Sequence, residues 1–234
     1  MVYNWLKSEQ ACLLCDLPAD TIHALCSACQ DELPWLGPHC RVCALPLPAA
    51  GLVCAHCLRR APAFAHVEAP WRYAFPVDAL ITRFKHQSAW PIGRLLGGLL
   101  GEHLRHAYLE GLPKPELLLP VPLARARLRR RGFNQAALLA NWLAKTLGLD
   151  LREDLLLRPQ DTAAQQGLDA AARRRNLRGA FALADHAMVA GRQVALVDDV
   201  LTTGATAEAL ATLLLRAGAA RVDVYCLART PAPN

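Results

Sequence analysis

Apolar residues recur along most of this chain with helical or strand periods. The spacing predicts helices over 77–87 and 92–109, the second with Leu95, Leu96, Leu99, Leu100 and Leu104 on one stripe. Gly93, Gly97 and Gly101 follow at four-residue steps in that helix and predict a close-packing face. A short buried strand is expected over 117–121, a helix over 134–147 and a strand near 151–157. Residues 64–75 read as extended, 158–169 as a polar loop and 170–177 as a short basic helix. A strand over 194–197, a helix over 205–217 and a strand over 222–227 close the chain. Strands alternating with helices imply an α/β fold with a mainly parallel sheet. Ligands of such sheets bind at the carboxyl ends of the strands.

Before about residue 64 this periodicity is missing and cysteine takes its place. Eight of the nine cysteines form four C-x-x-C pairs: Cys12/Cys15, Cys26/Cys29, Cys40/Cys43 and Cys54/Cys57. The pairs start 14 residues apart, but the prolines reveal a longer unit. Pro18 and Pro46 each lie six residues after Cys12 and Cys40, and Pro34 and Pro62 eight after Cys26 and Cys54. A 28-residue unit with two pairs is therefore present twice. Paired thiolates supply the tetrahedral shell zinc prefers, and four-cysteine shells are closed, hence structural. One zinc is assigned to Cys12, Cys15, Cys26 and Cys29 and a second to Cys40, Cys43, Cys54 and Cys57; interleaved ligation is the alternative. So short a segment with few large apolar side chains needs such staples to fold. Cys226, alone in an apolar run, reads as a core thiol.

Composition adds bounds. The chain has 234 residues, 53% of them apolar and 20% charged, which excludes a disordered chain. No apolar run is long enough to span a bilayer, and residues 1–10 lack the apolar stretch of a signal peptide, so a cytoplasmic protein is expected. The net charge of +6 comes from 22 Arg and 4 Lys, and its placement says more than its size.

The chemistry is concentrated in 194–206. An apolar strand ends in Asp198 and Asp199, and a turn of Thr202, Thr203, Gly204, Ala205 and Thr206 then opens a helix. Unpaired N–H groups and the positive end of the dipole at such a helix start attract phosphate. Gly204 permits the tight turn. The two acids repel phosphate and suit sugar hydroxyls or Mg²⁺ beside it. A phosphorylated sugar fits both halves. The Gly-Lys-Ser/Thr of a Walker loop is missing.

The 194–206 string resembles the phosphoribosyl pyrophosphate (PRPP) signature of type I phosphoribosyltransferases. Pro120-Val121-Pro122-Leu123, the arginines of 125–131, Gly132-Phe133-Asn134-Gln135 and Phe84-Lys85-His86 are similar to motifs of the ComF family. So are Thr162, Gln165, Gln166, Arg173, Asn176 and Leu177, and the two-zinc N-terminus. The resemblance covers nearly the whole chain. It implies a double zinc ribbon over 1–63, a phosphoribosyltransferase-like domain over 64–234, and an association with natural competence or the use of external DNA as a nutrient. It also implies that Asp198 and Asp199 hold the ribose hydroxyls and that Thr202, Thr203, Gly204, Ala205 and Thr206 hold the 5′-phosphate. Val121, Pro122 and Leu123, with Arg125, would form the pyrophosphate loop through backbone amides and a guanidinium. Residues 158–178 would be a hood that closes over the site and excludes water.

The five arginines of 125–131 have three readings: a pyrophosphate clamp, a DNA-backbone patch or a solvated loop. Arg173–175 with Arg178 form a second basic cluster. Two functions follow. One is an enzyme that binds Mg²⁺–PRPP and transfers the 5-phosphoribosyl group to a nitrogenous acceptor. The other is a binding module that keeps the fold but handles single-stranded DNA, with DNA or a competence protein as partner. Phe133 is the obvious aromatic for base stacking. A purely structural zinc adaptor would leave 194–206 without a purpose.

Overall fold

A computed structural model of the chain describes residues 10–159, 179–185 and 187–232. The expected basic helix over 170–177, the arginines at 173–175 and 178, most of the expected hood and the family-like positions 162–177 lie outside the described residues.

The N-terminal repeat is visible in the backbone. Bridges join Ala11 to Pro18 and His39 to Pro46. Cys12 N–H donates to Leu17 O at 2.7 Å and Cys40 N–H to Leu45 O at 2.8 Å. Asp16 and Ala44 both take positive φ, 62° and 55°. Each half ends in a one-turn helix, α1 (Ser27–Asp31) and α2 (Ala55–Arg59).

The chain then enters the sheet through β1 (His66–Glu68) and β2 (Trp71–Arg72), the strands within the extended 64–75 segment. Helices α3 (Val77–Gln87) and α4 (Trp90–Leu109) follow, then β3 (Leu117–Pro120), α5 (Arg125–Arg131) and α6 (Gln135–Leu147). Beyond them lie β4 (Asp150–Leu151), β5 (Leu156–Leu157), β6 (Ala182–Leu183), β7 (Gln193–Leu201), α7 (Ala205–Arg216) and β8 (Arg221–Arg229). The main sheet runs β1-β8-β7-β3-β4 with β2 also on β8, and every pairing is parallel. The fold is the expected α/β one. β3 and β8 are buried almost throughout because helices cover both faces of the sheet.

Three expectations change. The strand near 151–157 is two strands: β4 joins the main sheet, and β5 pairs antiparallel with β6 in a small separate ribbon. The arginines of 125–131 are not a loop but the helix α5. The strand over 194–197 does not end at the acids. β7 runs to Leu201, because the long β8 continues the ladder past them, pairing Asp198 with Cys226 and Val200 with Ala228.

One sheet face carries Leu117, Leu119, Val194, Leu196, Val222 and Val224 against α7. The other carries Leu118, Ala195, Val197 and Leu227 against α3, α4 and α6. The glycine stripe of α4 packs as its spacing implies. A Cβ on Gly97 would stand 3.0 Å from the Trp142 ring, and one on Gly101 would stand 2.9 Å from Thr146 Cγ2. Gly93 lies against Phe84 in the same way.

Candidate functional site

After β3 the chain crosses to β4 on one side; from β7 it crosses to β8 on the other. The carboxyl ends of β3 and β7 therefore flank a topological switch point, where such sheets open a crevice. Asp198 and Asp199 stand there, with residues 202–206 just beyond.

The two acids do not share one environment. Successive strand residues point to opposite faces. Asp199 is 4% exposed and forms an ion pair with Lys85 of α3 at 2.9 Å. Arg131 and His86 also feel its charge. Asp198, half-buried, accepts a hydrogen bond from the Asp199 N–H at 2.8 Å. Burial and the charge of Asp199 push its carboxyl up to about 7. A group so reluctant to ionise suits a cation or hydroxyl donors that replace its lost water.

Gly204 caps α7 with φ +76°, a conformation few other residues adopt. Thr202 and Thr203 are exposed, and Gly204, Ala205 and Thr206 half-exposed, so the helix start faces solvent. Thr203 Oγ1 accepts from the Ala205 N–H at 3.4 Å.

The segment Val121-Pro122-Leu123 follows β3 as expected, but its amides do not all face the crevice. Val121 N–H donates to Val197 O at 2.9 Å and belongs to the sheet, and Pro122 has no N–H. Only the Leu123 amide is left for a ligand. Arg125 is exposed on the first turn of α5. Arg131, at the other end of that helix, is the arginine coupled to Asp199, and Gln135 accepts from its guanidinium. The residues after it build this position. Gly132 ends α5 with φ +82°. Asn134 caps α6 through the Ala136 N–H and donates to Val121 O at 3.0 Å. Phe133 stacks on Trp90 (5.0 Å between centroids) and Phe84 (5.8 Å). Lys85 and Arg131 could not be assigned to the acids from spacing; the Phe84-Lys85-His86 motif was the only pointer.

Each knuckle pair brings four sulfurs within 4.8 Å of one another: Cys12, Cys15, Cys26 and Cys29, and Cys40, Cys43, Cys54 and Cys57. Cys15 and Cys26 Sγ are 3.7 Å apart, as are Cys43 and Cys54 Sγ. A disulfide needs about 2.05 Å, whereas sulfurs about 2.3 Å from a tetrahedral zinc stand roughly 3.8 Å apart. The sets suit two structural zinc ions in sequential pairing. Burial raises the Cys12 thiol, but the N–H groups of Cys26, Leu14 and Cys15 outweigh it and hold it at about 6. Cys40 is held at about 7 in the same manner. Cys226 is a core thiol, pushed up to about 12 by burial.

The family described as Double zinc ribbon domain matches residues 4–58, and Phosphoribosyl transferase domain matches residues 129–234. Competence protein F of Haemophilus influenzae is 38% identical over 88% of this chain and 91% of its own. DNA utilization protein YhgH of Escherichia coli is 38% identical over 94% of this chain and 96% of its own. Among solved structures, purine phosphoribosyltransferase from Pyrococcus horikoshii aligns over 57% of this chain and 70% of its own, with 22% identity and a TM-score of 0.34.

Proposed function

The chain belongs to the ComF family of competence and DNA-utilization proteins, and from that premise we propose that it binds PRPP with Mg²⁺, transfers the 5-phosphoribosyl group to a nitrogenous acceptor and releases pyrophosphate, in the uptake or use of DNA. Residues 1–63 would serve as a double zinc ribbon and 64–234 as the transferase-like domain. The observation that carries this reading is the meeting of two carboxylates with an exposed, glycine-capped helix start at the switch point of the sheet.

In this reading the amides and hydroxyls of 202–206 take the 5′-phosphate. Asp198 and Asp199 accept from the ribose hydroxyls. Lys85 holds one oxygen of Asp199, and the other is offered to the sugar. Arg131 and the Leu123 amide face the departing diphosphate. Mg²⁺, bound with the substrate, supplies positive charge against the same leaving group. Catalysis comes from positioning and electrostatic stabilisation, with no protein nucleophile. Eight thiols gathered for metal rather than bridged fit a reducing, cytoplasmic compartment.

Calorimetric titration with PRPP, with and without Mg²⁺, tests this. Metal-dependent binding is expected, and its loss in Asp198→Asn/Asp199→Asn with zinc content unchanged. If the double variant binds as well as the parent, the site is elsewhere.

The second reading, single-stranded DNA, is favoured by one observation. Trp90 is 46% exposed and stacks with Phe133 beside α5, whose Arg125, Arg127, Arg129 and Arg130 face solvent. An aromatic platform next to a row of guanidinium groups has the features that bind a strand by stacking and charge. Trp90→Ala should then weaken binding to an oligothymidylate while leaving PRPP titration intact. Each phosphate contact adds about 0.7 to the salt slope. An unchanged DNA affinity in that variant discards this reading.

A further inference from the structure

Arg229, the last residue of β8, is 6% exposed. Among the described residues no carboxylate pairs with it, and its guanidinium donates to carbonyl oxygens. Nε donates to Cys43 O at 2.9 Å, and one terminal nitrogen donates to Leu201 O at 3.1 Å, Thr202 O at 2.5 Å and Thr230 O at 2.7 Å. One side chain thus joins the backbone of a metal-ligand cysteine to the first residues of the 202–206 turn. Three further links run in parallel. Phe64, packed in the same apolar cluster as Cys40, Cys43, Cys54 and Cys57, lies under Gly204. Leu201 belongs to that cluster as well. Ala63 N–H donates to the Glu208 carboxylate, in the first turn of α7, at 2.7 Å.

Among the described residues the first knuckle has no hydrogen-bonded path to the turn, although its apolar cluster includes Val197 and Ala228. It rests on α4, where the His23 ring lies against Gly98 and Nε2 stands 3.2 Å from Glu102. Among the described residues no hydrogen bond joins 10–32 to 198–208.

We propose that the second four-cysteine site holds the phosphate-binding turn in place through Arg229, so that metal occupancy at this site, and not at the first, sets the order of residues 202–206. Arg229 is a positioning residue. A buried guanidinium fixes carbonyl groups rigidly only if all of them stay in place. Loss of the metal frees the Cys43 carbonyl, and with it one wall of the turn. That the turn receives phosphate rests on the function proposed above; that it is ordered by the second site does not.

Amide hydrogen exchange of the full chain, read on the peptide covering 202–206, with zinc content measured alongside, separates these claims. Arg229→Met and Cys57→Ser should speed exchange there about ten-fold or more, and Arg229→Lys less. Cys29→Ser, which removes a ligand of the first site, should leave it unchanged. Should Cys57→Ser fail to fold, Arg229→Met with both zinc ions retained decides alone, and unchanged exchange in it overturns the proposal. Equal effects of Cys29→Ser and Cys57→Ser also overturn it. PRPP titration of the same variants adds the functional arm. Faster exchange in a protein whose parent does not bind PRPP removes the proposed function and leaves the coupling standing. Weakened PRPP binding without faster exchange does the reverse.

Discussion

The two four-cysteine knuckles share their cysteine and proline spacing and their backbone, yet they pack in different surroundings. Bridges, turns, positive-φ residues and terminal helices recur at a constant offset of 28 residues. Their surroundings do not recur. The first knuckle joins the apolar cluster of α3, α4 and α6, and its Cys15 is exposed. The second joins the cluster of α7 on the opposite face of the sheet, with all four cysteines buried. The segment between them reaches the sheet itself: Arg72 N–H donates to Pro34 O, and Trp35 bridges Trp71. The duplicated module therefore straddles one edge of the sheet, a knuckle on each face. Duplication preserved the local shape, and packing gave each copy its own neighbour.

Cys40 is where the second knuckle is most sensitive. Its replacement by Ser should lower the stability of the whole chain by more than about 4 kcal/mol, since it removes a metal ligand from within the main core. Cys15→Ser, at an exposed ligand, should lose one zinc with a much smaller shift in thermal unfolding. Equal shifts in calorimetry would mean that the knuckles are energetically equivalent.

Gly98→Ala should act on the first knuckle only. Its Cβ would stand 2.7 Å from the His23 ring, which must move and lose Glu102. A loss of about 1–2 kcal/mol is expected. Proteolysis should cut more readily near residues 19–24, while PRPP titration stays as in the parent. Impaired PRPP binding would link the first knuckle to the site after all.

The smallest effect is one of pH, at the second knuckle. His66 Nδ1 faces Arg41 O at 2.9 Å, and Nε2 faces Glu68 Oε1 at 2.7 Å, so both nitrogens need a proton. Burial opposes the charged ring, but Glu68, Arg41 O and Asp223 raise His66 above its usual value. Burial likewise opposes ionised Glu68, yet His103 and His66 hold it at about 2. The raised His66 contributes stability that is complete below pH 6.5 and fades as pH rises through its folded value. The depressed Glu68 contributes stability above pH 4.5 that fades as pH falls toward 2. Thermal unfolding should thus weaken on both sides, and His66→Gln should flatten the alkaline limb. An unchanged alkaline limb in that variant would assign it to another group.

Much of this architecture was legible along the chain. The 28-residue repeat predicts sequential ligation, because each knuckle closes over a few residues and its thiolates are served by neighbouring amides. The period of α4 and its glycines predicts a tight helix contact, and the apolar runs of β3, β7 and β8 predict a covered sheet. Boundaries were less legible where a partner decides them. β7 runs past its acids because β8 is there to pair with.

The features readable along the chain are local: two metal-binding knuckles, an alternating α/β chain, and a strand with two acids before a glycine-capped helix. These depend on residues close in the chain, whose spacing carries the geometry. Other contacts arise from folding over long distances: Asp199 meets Lys85, Arg131 feels the charge of Asp199, the Val121 amide joins the sheet, and Arg229 reaches Cys43 across 186 residues. No periodicity encodes such contacts. They exist because packing both faces of one sheet brings distant segments to a shared edge, where buried charges must find partners or stay out.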